Sequence, residues 1–236
     1  MKLPGPFPTL LWGAVALWTG FWLLTALLMP ALPVDETRYL TVAWEMRQAG
    51  EWFLLSMNGA PYSHKPPLLF WLINLVWSVG GTEIGVARLV PLLATLTVLG
   101  FTYALGRAFY PDKKNVALYA ALMLMAMPPF MIYGTLIMFD FLLAACVAGG
   151  MLALWRAFAT QDLHCWLLFG LAMGLGALAK GPVILFHLMP AALLLPLAAR
   201  SLGHPLRLAR WYAGALLALA IAFAIGLAWA VPAALK

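Results

Sequence analysis

The sequence predicts an all-α, polytopic membrane protein: a bundle of about seven spanning helices, with interfacial helices in the loop after the first span. Three observations carry this. The chain of 236 residues is 65% hydrophobic and 9% charged, with a mean hydropathy of +0.95, whereas a soluble domain carries about 25% charged residues. Apolar runs of about twenty residues recur along it, the length that crosses the hydrocarbon core as a helix. The short alternating segments of a membrane barrel do not occur, and backbone in lipid must satisfy its own hydrogen bonds, which leaves helices.

Residues 7–29 make the first span. It is too long and too rich in tryptophan for a signal-peptide core, and no small-residue cleavage site follows it. The longest polar interval of the chain comes next, residues 33–67 within a loop of 33–82. In 36–49, Tyr39, Val42, Ala43, Met46 and Ala49 recur at helical spacing, as expected of a helix lying in the interface plane. Gly50 ends it, and Asn58-Gly59 marks a turn. Residues 68–79 are apolar but short, which suits an interfacial or re-entrant helix with Pro66 or Pro67 in its first turn. Further spans follow at 84–106, 115–133 (softened by Pro128-Pro129), 138–158, 165–179, 183–199 and 211–231. The 165–179 segment carries Gly170, Gly174 and Gly176, which permit close helix packing, and Lys180-Gly181-Pro182 breaks it. No repeat or linker divides the chain, so 1–236 reads as one membrane module.

Charge orients the bundle. With these spans, one side carries Lys2, Arg107, Lys113, Lys114, Arg156, Arg200, Arg207 and Arg210 against Asp112 and Asp162. The other carries Arg38, Arg47, Lys65, Arg88, Lys180 and Lys236 against six acids, Asp35, Glu36, Glu45, Glu51, Glu83 and Asp140. Lysine and arginine gather on the cytoplasmic side, so the 33–82 loop, Asp140 and Lys180 face away from the cytoplasm. The net charge of +6 reflects this bias; no basic run interleaved with aromatics points to a nucleic-acid partner.

Chemistry-bearing residues cluster on that non-cytoplasmic side. Asp35 and Glu36 suit a general base that takes a proton from an acceptor hydroxyl; equally, Asp35 suits the N-cap of the 36–49 helix, with Glu36 at its positive end. Lys65, held by two prolines, suits a phosphate or a lysine snorkelling to headgroups. Lys180 sits in a helix break deep in an apolar run, where ionisable groups face a cavity or a partner. Asp140 opens a span, as a functional carboxylate or as a cap. Arg88 suits a phosphate or a lipid headgroup. His187 follows Lys180 by seven residues, roughly on the same helix face, and a packed core histidine is the simpler expectation. His164 and His204 read as loop residues. Cys146 and Cys165 form no disulfide or metal pattern, no His/Asp/Glu spacing fits a metal, and no glycine loop fits a nucleotide. Trp12, Trp52, Trp71, Trp77, Trp166, Trp211 and Trp229, near span ends, read as an aromatic belt.

Together these residues resemble the N-terminal half of the GT-C membrane glycosyltransferases, in the branch of protein O-mannosyltransferases and the lipid A aminoarabinose transferase. The likeness rests on Asp35-Glu36-Thr37-Arg38-Tyr39, Asn58-Gly59-x-Pro61-Tyr62, Lys65-Pro66-Pro67-Leu68-Leu69, Arg88-Leu89, Asp140 and Ala179-Lys180-Gly181-Pro182. It implies a GT-C-like fold in a bacterial inner membrane, moving a sugar from a polyprenyl-phosphate donor to a lipid, glycan or protein acceptor at the periplasmic face. It implies Asp35 as the catalytic carboxylate with Glu36 beside it. Lys65 would neutralise the donor phosphate, helped by Arg88 and Lys180, and Tyr39, Tyr62, His64 and Asp140 are further site candidates. Two departures stand out. In the aminoarabinose branch an acidic residue commonly precedes the Lys-Pro-Pro lysine, where this chain has His64, so metal use stays open, a divalent ion included, as does the sugar. Relatives are also about twice as long, which implies a fragment lacking the family's C-terminal part, a second chain completing the fold, or a reduced form without acceptor recognition. The rival reading is a non-catalytic lipid-binding or flippase-like module, or a partner subunit. A transporter, with ionisable groups at the midplane, fits poorly, since those here lie towards one face.

Overall fold

Eleven helices and one small hairpin make up the described residues, 8–113, 115–201 and 205–235 of a computed structural model. Lys2, Lys114, His204, Lys236 and the side chain of Arg200, used above to orient the bundle or as loop residues, lie outside them. The chain divides into two compact units: Met1–Ser63 with Leu69–Ala145, and His64–Leu68 with Cys146–Lys236.

In the first unit, α1 (Thr9–Leu28) buries Leu11, Trp18 and Trp22 and leaves Leu17, Leu27 and Leu28 exposed, as expected where lipid is the solvent. These buried residues share a core with Val98, Leu99 and Tyr103 of α5 (Leu89–Phe109) and with Ala117 and Ala121 of α6 (Val116–Ala126). Gly106 permits this: a Cβ there would lie 2.7 Å from the Cα of Ala117. The short α4 (Ile84–Ala87) leads through Arg88, itself helical, into α5. The expected third span is broken. Met127 turns extended between α6 and α7 (Pro128–Tyr133), because a residue before proline is driven out of the helical region while Pro128 suits a helix start.

The loop after α1 folds largely as its pattern predicts. Helix α2 (Asp35–Ala49) buries Glu36, Tyr39, Val42, Ala43 and Met46, and Gly50 ends it in the left-handed conformation. Ala49 is exposed, so the stripe is one residue shorter than expected, with Glu36 added at its start. Strands β1 (Ser56–Met57) and β2 (Ala60–Pro61) pair across Asn58-Gly59, both at positive φ, the geometry of a two-residue hairpin turn. Glu45 holds this turn, accepting bonds from the Ser56 hydroxyl and the amides of Asn58 and Gly59. Helix α3 (Leu68–Gly80) starts after both prolines rather than on them. Asn74 locks it to α2 by donating to the carbonyl of Ala43 at 2.9 Å.

The second unit takes in most of α8 (Asp140–Thr160), with α9 (Leu163–Lys180), α10 (Val183–Ser201) and α11 (Leu208–Ala234). Helices α9 and α11 pack closely through Gly170 and Gly174, two of the glycines noted in the sequence, and Gly214 of α11, while Gly176 faces Ile184 of α10. A Cβ at Gly170 would lie 2.9 Å from the Cα and carbonyl oxygen of Ala218, and one at Gly214 would lie 2.4 Å from the Trp166 indole. Trp166 and Trp211 are therefore buried in this seam rather than placed in an aromatic belt. Gly170→Ala should destabilise by about 1–3 kcal/mol despite alanine's helix preference, since backbone cannot yield. Gly226→Ala on α11, with nothing within 4 Å of the new Cβ, should be neutral or mildly stabilising. Thermal unfolding of the two purified variants compares them directly.

Among the described residues, five helices are long and apolar enough to cross a membrane: Thr9–Leu28, Ile84–Phe109, Asp140–Thr160, Leu163–Lys180 and Leu208–Ala234. Leu68–Gly80, Val116–Ala126 and Val183–Ala199 are apolar but shorter. The chain is a multi-pass, all-α membrane protein, and the count of seven spans is approximate.

Candidate active site

The start of α2 is held by a buried ion pair that connects four separate segments. Glu36 and Arg88, 52 positions apart in sequence, are 0% and 1% exposed. Arg88 Nη2 donates to Glu36 Oε2 at 2.9 Å and Nε to Oε1 at 3.2 Å. The remaining guanidinium donors reach the carbonyls of Met29 (2.7 Å) and Pro30 (2.9 Å), with longer contacts to Thr25 and Ala26. These carbonyls end α1 and its tail, so the arginine serves as a C-terminal cap. Glu36 in turn accepts from the amides of Leu32 (2.8 Å) and Ile137 (2.9 Å). Burial alone would raise the Glu36 pKa; the Arg88 hydrogen bond, the two amides and the guanidinium charge outweigh it and hold the carboxyl below its ordinary value.

This geometry differs from the expectation for both residues. All the N–H groups of Arg88 end on protein acceptors, so none faces a phosphate. Glu36 is enclosed and saturated, so it positions its neighbours rather than touching an acceptor. The sequence marks an arginine and a glutamate at span ends, each too costly to bury alone, but does not mark them as each other's partner.

Asp35 is the first residue of α2 and half-buried, but no side chain caps this helix, so the capping role does not hold. Val34 precedes it at φ 74°, ψ −56°, a strained γ-turn conformation rarely seen for a β-branched residue. Strain of about 1–3 kcal/mol persists only where the surroundings over-determine it, and the Glu36 bond to Leu32 closes this turn.

Behind Asp35, Tyr39 packs edge-on against Phe139 (4.9 Å between ring centres) and at a tilt against Phe70 (6.4 Å), and Tyr62 packs edge-on against Phe70 (6.1 Å). Both phenols are pushed above their ordinary pKa. For Tyr39 burial is the main cause, followed by the charge of Asp35; Tyr62 and Asp140 act the same way and Arg38 opposes. For Tyr62 burial outweighs the charge and hydrogen bond of Arg38, with Asp35 adding to the rise. Both tyrosines are thus neutral donors, and Asp35, Arg38 and Asp140 all act on this aromatic cluster. Asp140, the first residue of α8, also lines a groove of about 580 Å³ otherwise formed by residues such as Leu124, Phe130, Tyr133 and Phe141. The first unit therefore brings together Asp35, Tyr39, Tyr62 and Asp140, with Arg38 as a member that sequence reasoning named only in passing.

Lys65 and His64 belong to the second unit, Lys65 half-buried and His64 exposed, as does Lys180. Lys180 ends α9, where a cation complements the helix dipole, and Gly181 breaks the helix at φ 79°. His187 lies on α10, a different helix, so it does not continue the Lys180 face. It is exposed rather than packed, with Nδ1 2.9 Å from the carbonyl of Val183. His164 lies in the first turn of α9. Among the described residues no three His, Cys, Asp or Glu side chains gather as a metal site.

The family model described as dolichyl-phosphate-mannose-protein mannosyltransferase matches residues 64–229. The chain belongs to that family. The match takes in Lys65, Arg88, Asp140 and Lys180, while Asp35, Glu36, Tyr39 and Tyr62 precede it. Among curated relatives, the undecaprenyl phosphate-α-4-amino-4-deoxy-L-arabinose arabinosyl transferase 1 of Sodalis glossinidius is 32% identical over 70% of this chain and 30% of its own length. The corresponding transferase of Pseudomonas savastanoi pv. phaseolicola is 30% identical over 84% of this chain and 36% of its own. The chain thus spans about a third of the length of these relatives. The fold is that of ArnT from Cupriavidus metallidurans. The apo structure superposes with a TM-score of 0.79 at 21% identity, over 96% of this chain and 43% of that one. The structure bound to undecaprenyl phosphate superposes with a TM-score of 0.76 at 23% identity, over 94% and 40%.

Proposed function

We propose that this chain carries the catalytic module of a glycosyltransferase that moves a sugar from a polyprenyl-phosphate donor to a lipid, glycan or protein acceptor at the periplasmic face of a bacterial inner membrane. The observation that carries this is the convergence of Asp35, Tyr39, Tyr62 and Asp140 around a start of α2 held rigidly by Glu36 and Arg88. A positioned carboxylate removes the proton of the acceptor hydroxyl as the sugar carbon is attacked. Lys65 and Lys180 serve the leaving phosphate, whose growing negative charge a cation stabilises. Tyr39 and Tyr62, kept neutral, orient substrate hydroxyls. The names of the arabinosyl transferases make undecaprenyl-phosphate-linked 4-amino-4-deoxy-L-arabinose the first donor to try. His64 is where a difference in sugar choice is expected.

The test is transfer of labelled sugar from the lipid-linked donor in proteoliposomes. Wild type should transfer, and Lys65→Ala should lose about 10–100-fold in kcat/KM through the missing charge-assisted contact. Donor binding without transfer by wild type would support the lipid-binding reading instead, and an unaffected Lys65→Ala would remove this lysine from the phosphate site.

A further inference from the structure

At the far end of α9 from Lys180 lies a second concave site, of about 390 Å³, lined by Gln161, Trp166, Arg207, Arg210, Trp211 and Gly214 among others. Trp166 and Lys180 are fourteen residues apart on one straight helix, about 20 Å at the helical rise. The site therefore opens near the opposite membrane surface from Lys180, on the side that the charge distribution makes cytoplasmic.

Its construction is specific. Trp166 and Trp211 meet edge-on at 4.8 Å, and Trp166 rests on the bare backbone of Gly214. The Trp211 indole N–H is anchored to the carbonyl of Ala192 at 2.8 Å. Gln161, at φ 55°, ties the turn between α8 and α9 to the lead-in of α11 by donating to the carbonyl of Pro205 at 2.8 Å. Arg207 and Arg210 stand exposed at this rigid aromatic floor. No carboxylate lines the site, and neither guanidinium has a hydrogen-bond or ion-pair partner among the described residues. The nearest acid in sequence, Asp162, spends one carboxylate oxygen on the amide of His164. Two unpaired guanidinium groups over an indole surface between helix ends would hold the oxygens of a phosphate bidentately, with the acyl-chain carbons of a lipid against the indoles beneath it.

We propose that this pocket binds the phosphodiester headgroup of an anionic phospholipid of the cytoplasmic leaflet. The site is separate from the residues assigned to sugar transfer and fastens the α9–α11 pair to its membrane. Basic residues near an anionic leaflet contribute about 1 kcal/mol each, so losing both arginines should weaken binding by about 30-fold.

The experiment follows thermal unfolding of the purified chain in micelles with added phosphatidylglycerol, phosphatidylcholine, glycerol 3-phosphate or inorganic phosphate. Wild type and Lys113→Gln, an exposed charge outside the pocket, should be stabilised by phosphatidylglycerol alone. Arg207→Gln/Arg210→Gln should match wild type in phosphatidylcholine, which checks its fold, and lose the phosphatidylglycerol shift; each single variant, measured beside it, should lose part. An equal shift in the double variant overturns the proposal. So does a full shift produced by inorganic phosphate or glycerol 3-phosphate, which would make the ligand a soluble anion.

Discussion

Glu36→Ala is expected to cost about 3–5 kcal/mol of stability, because it strands the Arg88 charge in a fully buried site. Arg88→Met should cost a similar amount, since it leaves the Glu36 carboxylate unpaired and uncaps the carbonyls of Met29 and Pro30. Glu36→Leu/Arg88→Met removes both charges but still leaves buried backbone groups without partners, so it should fall between the single variants and wild type, at about 1–3 kcal/mol. Denaturant unfolding of the detergent-solubilised protein at neutral pH measures all three. Single variants within about 1 kcal/mol of wild type, the range of an exposed pair, would show that the pair does not hold α1, α2, α5 and the segment before α8 together.

The same pair sets an acid limit. The native pKa of Glu36 lies below its ordinary value of 4.5. Its stabilisation is then fully present above about pH 4.5 and is lost as the pH falls through the depressed native value. The wild type should lose stability over that window, and Glu36→Leu/Arg88→Met should lose less.

What was legible in the sequence was local. The α2 stripe follows from helical spacing, the hairpin from Asn58-Gly59, and the ends of α2 and α9 from Gly50 and Gly181. Family motifs supplied roles for Asp35, Lys65 and Asp140, which local pattern alone left open between functional and structural readings, and for Lys180, which its helix break had already singled out. Long-range pairing was not legible. Arg88 read as a ligand for a phosphate or headgroup and Glu36 as a base or a charge at a helix start, because sequence shows a residue's depth along a span but not which neighbour lies across from it. For the same reason Trp166 and Trp211 looked like interfacial anchors, although Gly214, the residue that lets Trp166 sink into the α9–α11 seam, was in plain sight. Continuity of hydropathy hid the break at Met127: an apolar run of spanning length is indifferent to the dihedral that Pro128 forbids. His187 was misread by extending the α9 periodicity through Gly181, where the backbone turns.

Asp35→Asn separates catalysis from scaffold. The two adjacent carboxylates differ in what they touch: Glu36 accepts four hydrogen bonds from Arg88, Leu32 and Ile137, whereas Asp35 is half-exposed and caps no helix. The amide keeps the size of the carboxylate and cannot accept the acceptor's proton. Turnover in the proteoliposome assay should fall about 10²–10⁴-fold, the usual contribution of a positioned general base, while the unfolding midpoint stays at the wild-type value and donor binding is retained. Asp35→Glu keeps the charge but moves it by a methylene, and should lose about 10²-fold, because rate depends on placement at the ångström scale. Val34 and Glu36 exist, on this reading, to make that placement. The opposite pattern, wild-type turnover in Asp35→Asn, would pass the base role to Asp140, the other carboxylate that acts on Tyr39. Asp140→Asn should then be the variant that loses transfer without losing stability.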